Sequence, residues 1–157
     1  VEIARRGWTL VYGGARVGLM GVVANAALDA GGRVVGVVPR FLYEREVGHD
    51  GITSLEIVGS LTERKLRMGE LSDAFLSLPG GIGTLDELFE AWSWSQVGLQ
   101  SKPSGLLNVA GYYDALVAFV ERATAAGFVK PQHRQWLSVS DDVGELLDGF
   151  RRRSSRP

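Results

Sequence analysis

The sequence predicts an α/β protein: a Rossmann-like, doubly wound parallel sheet with helices on both faces. Three observations carry that expectation. Short β-branched runs alternate with longer amphipathic stretches, the runs are apolar almost throughout as in strands buried on both faces, and glycine clusters fall between a strand and the following helix.

The predicted strands are Thr9–Tyr12, Arg33–Val38, Leu55–Val58, Ala74–Leu78, Pro103–Asn108 and Trp136–Val139. The predicted helices are Gly18–Ala30, Leu61–Leu71, Leu85–Val97, Tyr112–Ala126 and Asp142–Phe150. Val34-Val35-Gly36-Val37-Val38 is the clearest doubly buried strand. Ahead of these, Val1-Glu2-Ile3-Ala4-Arg5-Arg6-Gly7 reads as the end of a helix with a glycine stop. An open βα sheet places a strand before such a helix, so the expectation is a first strand absent from this sequence. With no internal repeat and no long linker, residues 1–150 are expected to form one domain. Arg151-Arg152-Arg153-Ser154-Ser155-Arg156-Pro157 is then a basic polar tail, expected to be frayed and solvated.

Composition removes several function classes. The 157 residues are 45% hydrophobic, and 17 Lys and Arg against 18 Asp and Glu leave a net charge of −1. No global field therefore argues for a nucleic-acid or membrane partner. The absence of cysteine excludes disulfides, thiolate nucleophiles and cysteine zinc sites. His49 and His133 lie far apart in sequence, so no metal is expected. No apolar run approaches the roughly 18 residues of a spanning helix, and with no signal peptide visible a cytoplasmic location is the expectation. Glycine is the oddity: 21 residues, nearly twice the usual share of about 7%.

Two glycine clusters matter: Tyr12-Gly13-Gly14-Ala15-Arg16-Val17-Gly18-Leu19-Met20-Gly21 and Leu78-Pro79-Gly80-Gly81-Ile82-Gly83-Thr84. Each follows a predicted strand and opens a predicted helix, the end of an α/β sheet where ligands bind. Glycines let backbone approach a phosphate, and free N–H groups at a helix start supply donors. Tight-turn chemistry alone is the competing account. Neither cluster has the spacing of a Walker A or a dinucleotide loop.

Two charged residues stand out. At about 100° per residue, Leu61, Met68 and Leu71 share one face of their helix, and Arg64 projects between Met68 and Leu71. Lys65 flanks Leu61, whereas Glu63, Arg67 and Glu70 form the solvated face. A guanidinium on an inward face needs an anion or several acceptors. A structural Arg–carboxylate pair and a pocket anion both satisfy it. Similarly, Thr84-Leu85-Asp86-Glu87 reads either as a capping box or as a carboxylate beside a phosphate-sized turn, able to stabilise an oxocarbenium-like centre or activate water.

Pro79-Gly80-Gly81-Ile82-Gly83-Thr84-Leu85-Asp86-Glu87 fits the pattern P-G-G-x-G-T-x-x-E, and Glu63-Arg64-Lys65 fits an upstream R-K element. With Gly13-Gly14 through Gly21, Pro39-Arg40, Gly105-Leu106-Leu107-Asn108 and Gly111-Tyr112-Tyr113, they make the chain similar, from about Trp8 to Phe150, to the LONELY GUY family of cytokinin riboside 5′-monophosphate phosphoribohydrolases. Its members are often mislabelled lysine decarboxylases. The resemblance implies hydrolysis of the N-glycosidic bond of an adenine-type nucleoside 5′-monophosphate, such as AMP or a cytokinin riboside 5′-monophosphate, to base and ribose 5-phosphate. It makes Arg64 and Glu87 the catalytic pair. Gly81, Ile82, Gly83 and Thr84 then wrap the phosphate, with Leu85 and Asp86 continuing the substrate-binding run and Gly13, Gly14 and Gly80 as further phosphate-loop candidates. Glu46, Lys65 and Ser93 match substrate-contacting positions, Ser93 standing where the family has threonine. The resemblance implies no cofactor, no metal, and a homodimer, which the largely apolar Leu85–Val97 helix suits.

The alternative on such a fold is a non-catalytic binding or carrier protein for a phosphorylated ligand, a nucleotide or a molybdenum-cofactor-like molecule. Retention of both Arg64 and Glu87 argues against it. Amine decarboxylation would need a pyridoxal group on a lysine, and Lys65, Lys102 and Lys130 lie in no such setting.

Overall fold

The computed structural model describes residues 1–154; Ser155, Arg156 and Pro157 and the side chains of Glu46, Val47 and Ser154 lie outside the described residues. The chain divides into two compact units, Val1–Ser72 and the part from Asp73 onward.

The first unit runs α1 (Glu2–Arg5), β1 (Thr9–Tyr12), α2 (Gly18–Asp29), β2 (Arg33–Pro39), a helical turn α3 (Arg40–Leu42) continuing as a π-helical turn (Tyr43–Val47), β3 (Ser54–Val58) and α4 (Leu61–Leu71). Its three strands are parallel in the order β1-β2-β3, with Tyr12 opposite Gly36 and Gly36 opposite Leu55. The second unit runs β4 (Phe75–Ser77), α5 (Ile82–Gln96), β5 (Ser104–Leu107), a 3-10 turn (Val109–Gly111), α6 (Asp114–Ala125), α7 (Pro131–Arg134), β6 (Leu137–Ser140) and α8 (Val143–Ser154). Its strands are parallel in the order β4-β5-β6. Parallel neighbours require crossover connections, and helices supply most of them. The α/β, Rossmann-like expectation holds.

Part of the glycine excess is helix punctuation. Helices α1, α2, α5 and α6 each end in a paired 6→1 and 5→2 hydrogen-bond motif whose left-handed residue is Gly7, Gly31, Gly98 or Gly127, with φ between 69° and 83°. At α1, Gly7 N–H donates to Ala4 O and Trp8 N–H to Ile3 O, so Val1–Gly7 is the helix end the sequence indicates.

Helix boundaries agree with the sequence reading to within two residues except at the start of α5 and the end of α8. Helix α5 begins at Ile82 rather than Leu85, with extended Gly81 as its N-cap and no side-chain cap. A first turn of Ile-Gly-Thr looks like loop because glycine has low helix propensity, yet the turn forms. Helix α8 continues past Phe150 to Ser154, so Arg151, Arg152 and Arg153 are helical, not a frayed tail. Their charges complement the helix C-terminus, and Arg153 Nη2 donates to Gln135 O at 2.8 Å.

A side-chain N-cap does occur at the start of α4, with Glu63 reaching back to the residue before it. Ser60 Oγ accepts from Glu63 N–H at 3.1 Å, and Glu63 Oε2 accepts from Gly59 N–H at 2.7 Å. Ser60→Ala is expected to destabilise the fold by about 1 kcal/mol, read from the midpoint of urea unfolding.

In the first unit Tyr12, Ala24, Ala27 and Val34 form the buried cluster, flanked by Leu10, Leu28 and Ile52. The Tyr12 hydroxyl is buried there without a hydrogen-bond partner, and burial pushes the phenol up to about 12. Its folded value lies above the ordinary value of 10, so this contribution to stability is complete below pH 10 and lost as pH rises towards about 12. Tyr12→Phe removes an unsatisfied hydroxyl. It is expected to be as stable as the parent or more so at neutral pH, and to lack this alkaline loss in urea titrations.

The second unit's core is Leu88, Trp92, Leu106, Tyr113, Val120 and Leu137. Leu106 faces this cluster, whereas a Cβ on its neighbour Gly105 would meet Phe150 and Leu146 of α8. Successive strand residues point to opposite faces, so helices cover β5 on both. Trp92 Nε1 donates to His133 O at 2.9 Å, anchoring α5 to α7.

Candidate functional site

Strand β4 ends at Ser77, and Leu78-Pro79-Gly80-Gly81 leads directly into α5. The first intrahelical bond there is Leu85 N–H to Gly81 O at 3.2 Å. The N–H groups of Ile82, Gly83 and Thr84 come before it and carry the positive end of a 15-residue helix. Gly81, Ile82 and Gly83 are exposed, and open space surrounds Gly81 and Gly83 where a side chain would stand. This is the geometry of an anion site. Thr84 folds its hydroxyl back over Gly80, so closely that a Cβ at Gly80 would strike Thr84 Oγ1 and lie 3.0 Å from Thr84 Cβ. Glycine is required there.

The turn is pinned from outside by two tyrosines. Tyr112 Oη donates to Gly80 O at 2.8 Å, and Tyr113 Oη donates to Leu78 O at 2.5 Å. Burial, and then the neighbouring Tyr112, push the Tyr113 phenol up. Tyr113 is set by Asn108, whose Oδ1 accepts from Tyr113 N–H at 2.7 Å while Nδ2 donates to Asp114 at 2.8 Å. The Gly111-Tyr112-Tyr113 pattern signalled this segment; its role as a clamp on a turn some 30 residues away was not legible.

Glu87 lies in the second turn of α5, half-buried. Because the N-cap is Gly81 and not Thr84, the capping-box account of Glu87 fails. Leu85 packs its side chain against the core and uses its N–H within the helix, so it holds the turn in place. Asp86 and Ser93 are exposed, and Ser93 stands about 120° around the helix from Glu87 by helical geometry. It falls in an exposed stripe with Ile82, Phe89 and Val97.

In the first unit the turn Gly13–Val17 follows β1 and opens α2, whose N-cap Val17 offers no side-chain cap. The Arg64 guanidinium, reaching from α4, rests on Gly13: a Cβ there would collide with Nη2 and come within 2.9 Å of Cζ. The sequence placed both residues near a site; the structure places them in contact. Arg64 and Lys65 are half-buried. Two details of α4 differ from the sequence reading. Leu61, expected on the inward face, is 48% exposed. Glu63 is exposed as expected and accepts from Gly59 N–H. Arg67, read as solvated, grips Glu56 of β3 through Nε at 2.6 Å and Nη2 at 3.1 Å, and Glu70 through Nη1 at 2.9 Å. These hydrogen bonds hold the Glu56 carboxyl low and the Arg67 guanidinium high. Arg67 thus forms a structural Arg–carboxylate pair with β3.

Beside this turn, Arg16, Asn25, Tyr43, His49 and Asp50 line a cleft of about 630 Å³. Glu46 belongs to the π-helical turn Tyr43–Val47, and its side chain lies outside the described residues.

Parallel sheets with glycine turns at the carboxyl ends of their strands, one opening onto an uncapped helix N-terminus, define a Rossmann-like α/β protein with anion-site geometry. The model of the family described as "Possible lysine decarboxylase" matches residues 20–150. A protein of Rhodococcoides fascians named cytokinin riboside 5′-monophosphate phosphoribohydrolase is 51% identical over 150 residues, covering 95% of this chain and 76% of the relative. A protein of Oryza sativa subsp. japonica named "Probable cytokinin riboside 5′-monophosphate phosphoribohydrolase LOGL9" is 48% identical over 146 residues, covering 93% of this chain and 64% of the relative. The chain belongs to the LONELY GUY family of these proteins. Among solved structures, the molybdenum cofactor binding protein of Rippkaea orientalis superposes with a TM-score of 0.69 at 22% identity, over 95% of this chain and 81% of that one. At that identity the likeness is one of fold.

Proposed function

We propose that this protein is a phosphoribohydrolase that cleaves the N-glycosidic bond of a nucleoside 5′-monophosphate, AMP or a cytokinin riboside 5′-monophosphate, to free base and ribose 5-phosphate. The observation that carries the reading is the start of α5: the N–H groups of Ile82, Gly83 and Thr84 precede the first intrahelical bond, Ile82 and Gly83 exposed, with Glu87 one turn further and no side chain capping the helix. Those donors suit the 5′-phosphate. The names of relatives at 48–51% identity support the substrate class.

In this reading Gly80, Gly81, Ile82, Gly83 and Thr84 hold the phosphate, with Gly13 and Gly14 as a second phosphate-facing turn. As the bond from C1′ to the base nitrogen breaks, its electron pair leaves with the base and the ribose becomes oxocarbenium-like. Glu87 stabilises that cation and takes a proton from the water that attacks C1′. Arg64 orients the substrate by charge-assisted hydrogen bonds. Lys65, Glu46, Asp86 and Ser93 contact substrate, and Leu85 keeps the turn in register. No metal or organic cofactor takes part.

Incubation with a panel of nucleoside monophosphates, with chromatography of the products, tests the reading. Free base and ribose 5-phosphate in equal amounts are expected; tight binding of every nucleotide with no base released would overturn it in favour of a carrier.

The exposed stripe on α5, with Ile82, Phe89 and Val97 respectively 87%, 40% and 65% exposed, supports a homodimer through the Leu85–Val97 region. Sedimentation is expected to give twice the chain mass; a monomer at micromolar concentration would refute it. No helix among the described residues is long and apolar enough to cross a membrane. A nucleoside monophosphate substrate, confined within cells by its charge, supports a cytoplasmic site of action.

A further inference from the structure

Two successive glycines have no side chains with which to fix their own backbone, so the rigidity of the Gly13–Gly14 turn must come from outside. Val37, Val38 and Leu55 pack against Gly14, and its hydrogen-bonded support comes from the segment at residues 48–49. His49 donates its backbone N–H to Gly14 O at 2.9 Å, and Gly48 forms an antiparallel bridge with Ala15. The His49 ring is fixed in turn, with Nε2 2.9 Å from Asn25 Oδ1 on α2. Tyr43 closes the segment on itself, its ring packed against Gly48 and its hydroxyl donating to Asp50 Oδ1 at 3.2 Å. The Arg64 guanidinium rests on Gly13, the residue next to the anchored one.

We propose that His49, held by Asn25, is a positioning residue for Arg64: it fixes the Gly13–Gly14 turn that supports the guanidinium. The inference rests on the reading of Arg64 given above. Without the Nε2 bond to Asn25, residues 48 and 49 loosen, the glycine turn relaxes, and Arg64 loses its floor.

The test is a mutant cycle on His49→Ala, His49→Gln, Asn25→Ala, Arg64→Ala and the His49→Ala/Arg64→Ala double variant, read both as kcat/KM for AMP hydrolysis and as calorimetric affinity for AMP. His49→Ala and Asn25→Ala are each expected to lower kcat/KM about tenfold, the scale on which small misplacement of a catalytic group acts. His49→Gln, which places an amide near the Nε2 position, is expected to restore most of it. In the Arg64→Ala background, His49→Ala is expected to add less than about twofold, because coupled residues are non-additive. A full additional tenfold in that background, or an unimpaired His49→Ala, would overturn the proposal. Should His49→Ala not fold, Asn25→Ala with Arg64→Ala completes the cycle. Absence of base release by the parent protein would refute the hydrolase reading alone, since the binding cycle still decides whether His49 acts through Arg64.

Discussion

Glu87→Gln is expected to lower the rate of base release by about 10²- to 10⁴-fold, with nucleotide affinity largely kept. The amide preserves size and hydrogen-bonding reach but carries no negative charge for an oxocarbenium-like ribose and cannot take a proton from water. The structure removes one confounder of this prediction, the capping box. Had Glu87 closed a capping box, its replacement would have frayed the helix and lost activity through unfolding. Helix α5 instead starts at Ile82 behind Gly81 and relies on no side-chain cap. Thermal unfolding of the variant is therefore expected to match the parent within a few degrees, about what 1 kcal/mol or less produces in a domain of this size. Product chromatography and calorimetric titration with AMP measure the two halves of the expectation. A variant as fast as the parent would remove Glu87 from the chemistry.

Gly13→Ala is the second large effect. Among the described residues Gly13 is not one with positive φ, so alanine suits its backbone. The added methyl would, however, occupy the space of the Arg64 guanidinium. The far end of a long side chain moves more readily than a strand, so Arg64 is displaced while the fold persists. The expected cost is about 10- to 100-fold in kcat/KM, because a displacement of about 1 Å in a catalytic group costs up to that much. Steady-state kinetics and urea unfolding check it together: lost activity with unchanged stability is the expected pair. Equal kcat/KM in variant and parent would show that the contact between Arg64 and Gly13 has no part in the reaction.

The contrast between Gly13 and Gly80 shows how far each turn was legible. Both stand in clusters that the sequence marks by composition and position. What each glycine accommodates is invisible there: a guanidinium from α4, some 50 residues on, at Gly13, and the hydroxyl of nearby Thr84 at Gly80. The clamp of Tyr112 and Tyr113 on Gly80 O and Leu78 O is equally a matter of chain path. Some signals were local and could have been read. Ser60 and Glu63 have the spacing of a capping box and Ser60 does cap its helix, whereas Thr84, at the same spacing from Glu87, is no cap. Which pair caps depends on where the helix starts, and Ile-Gly-Thr at the head of α5 disguised that start.

By itself the sequence determined the order and type of the strands and main helices, because apolar periodicity and glycine stops act over a few residues and need no distant partner. It also determined the family, through a fixed run from Pro79 to Glu87 with Arg64 upstream. Tertiary structure alone decided that Arg67 grips Glu56 and that the Arg64 guanidinium rests on Gly13. It likewise decided that Asn25 and His49 meet at 2.9 Å. Those pairings join residues far apart along the chain, and their distances depend on how the sheet and helices pack, which no local pattern of residues encodes.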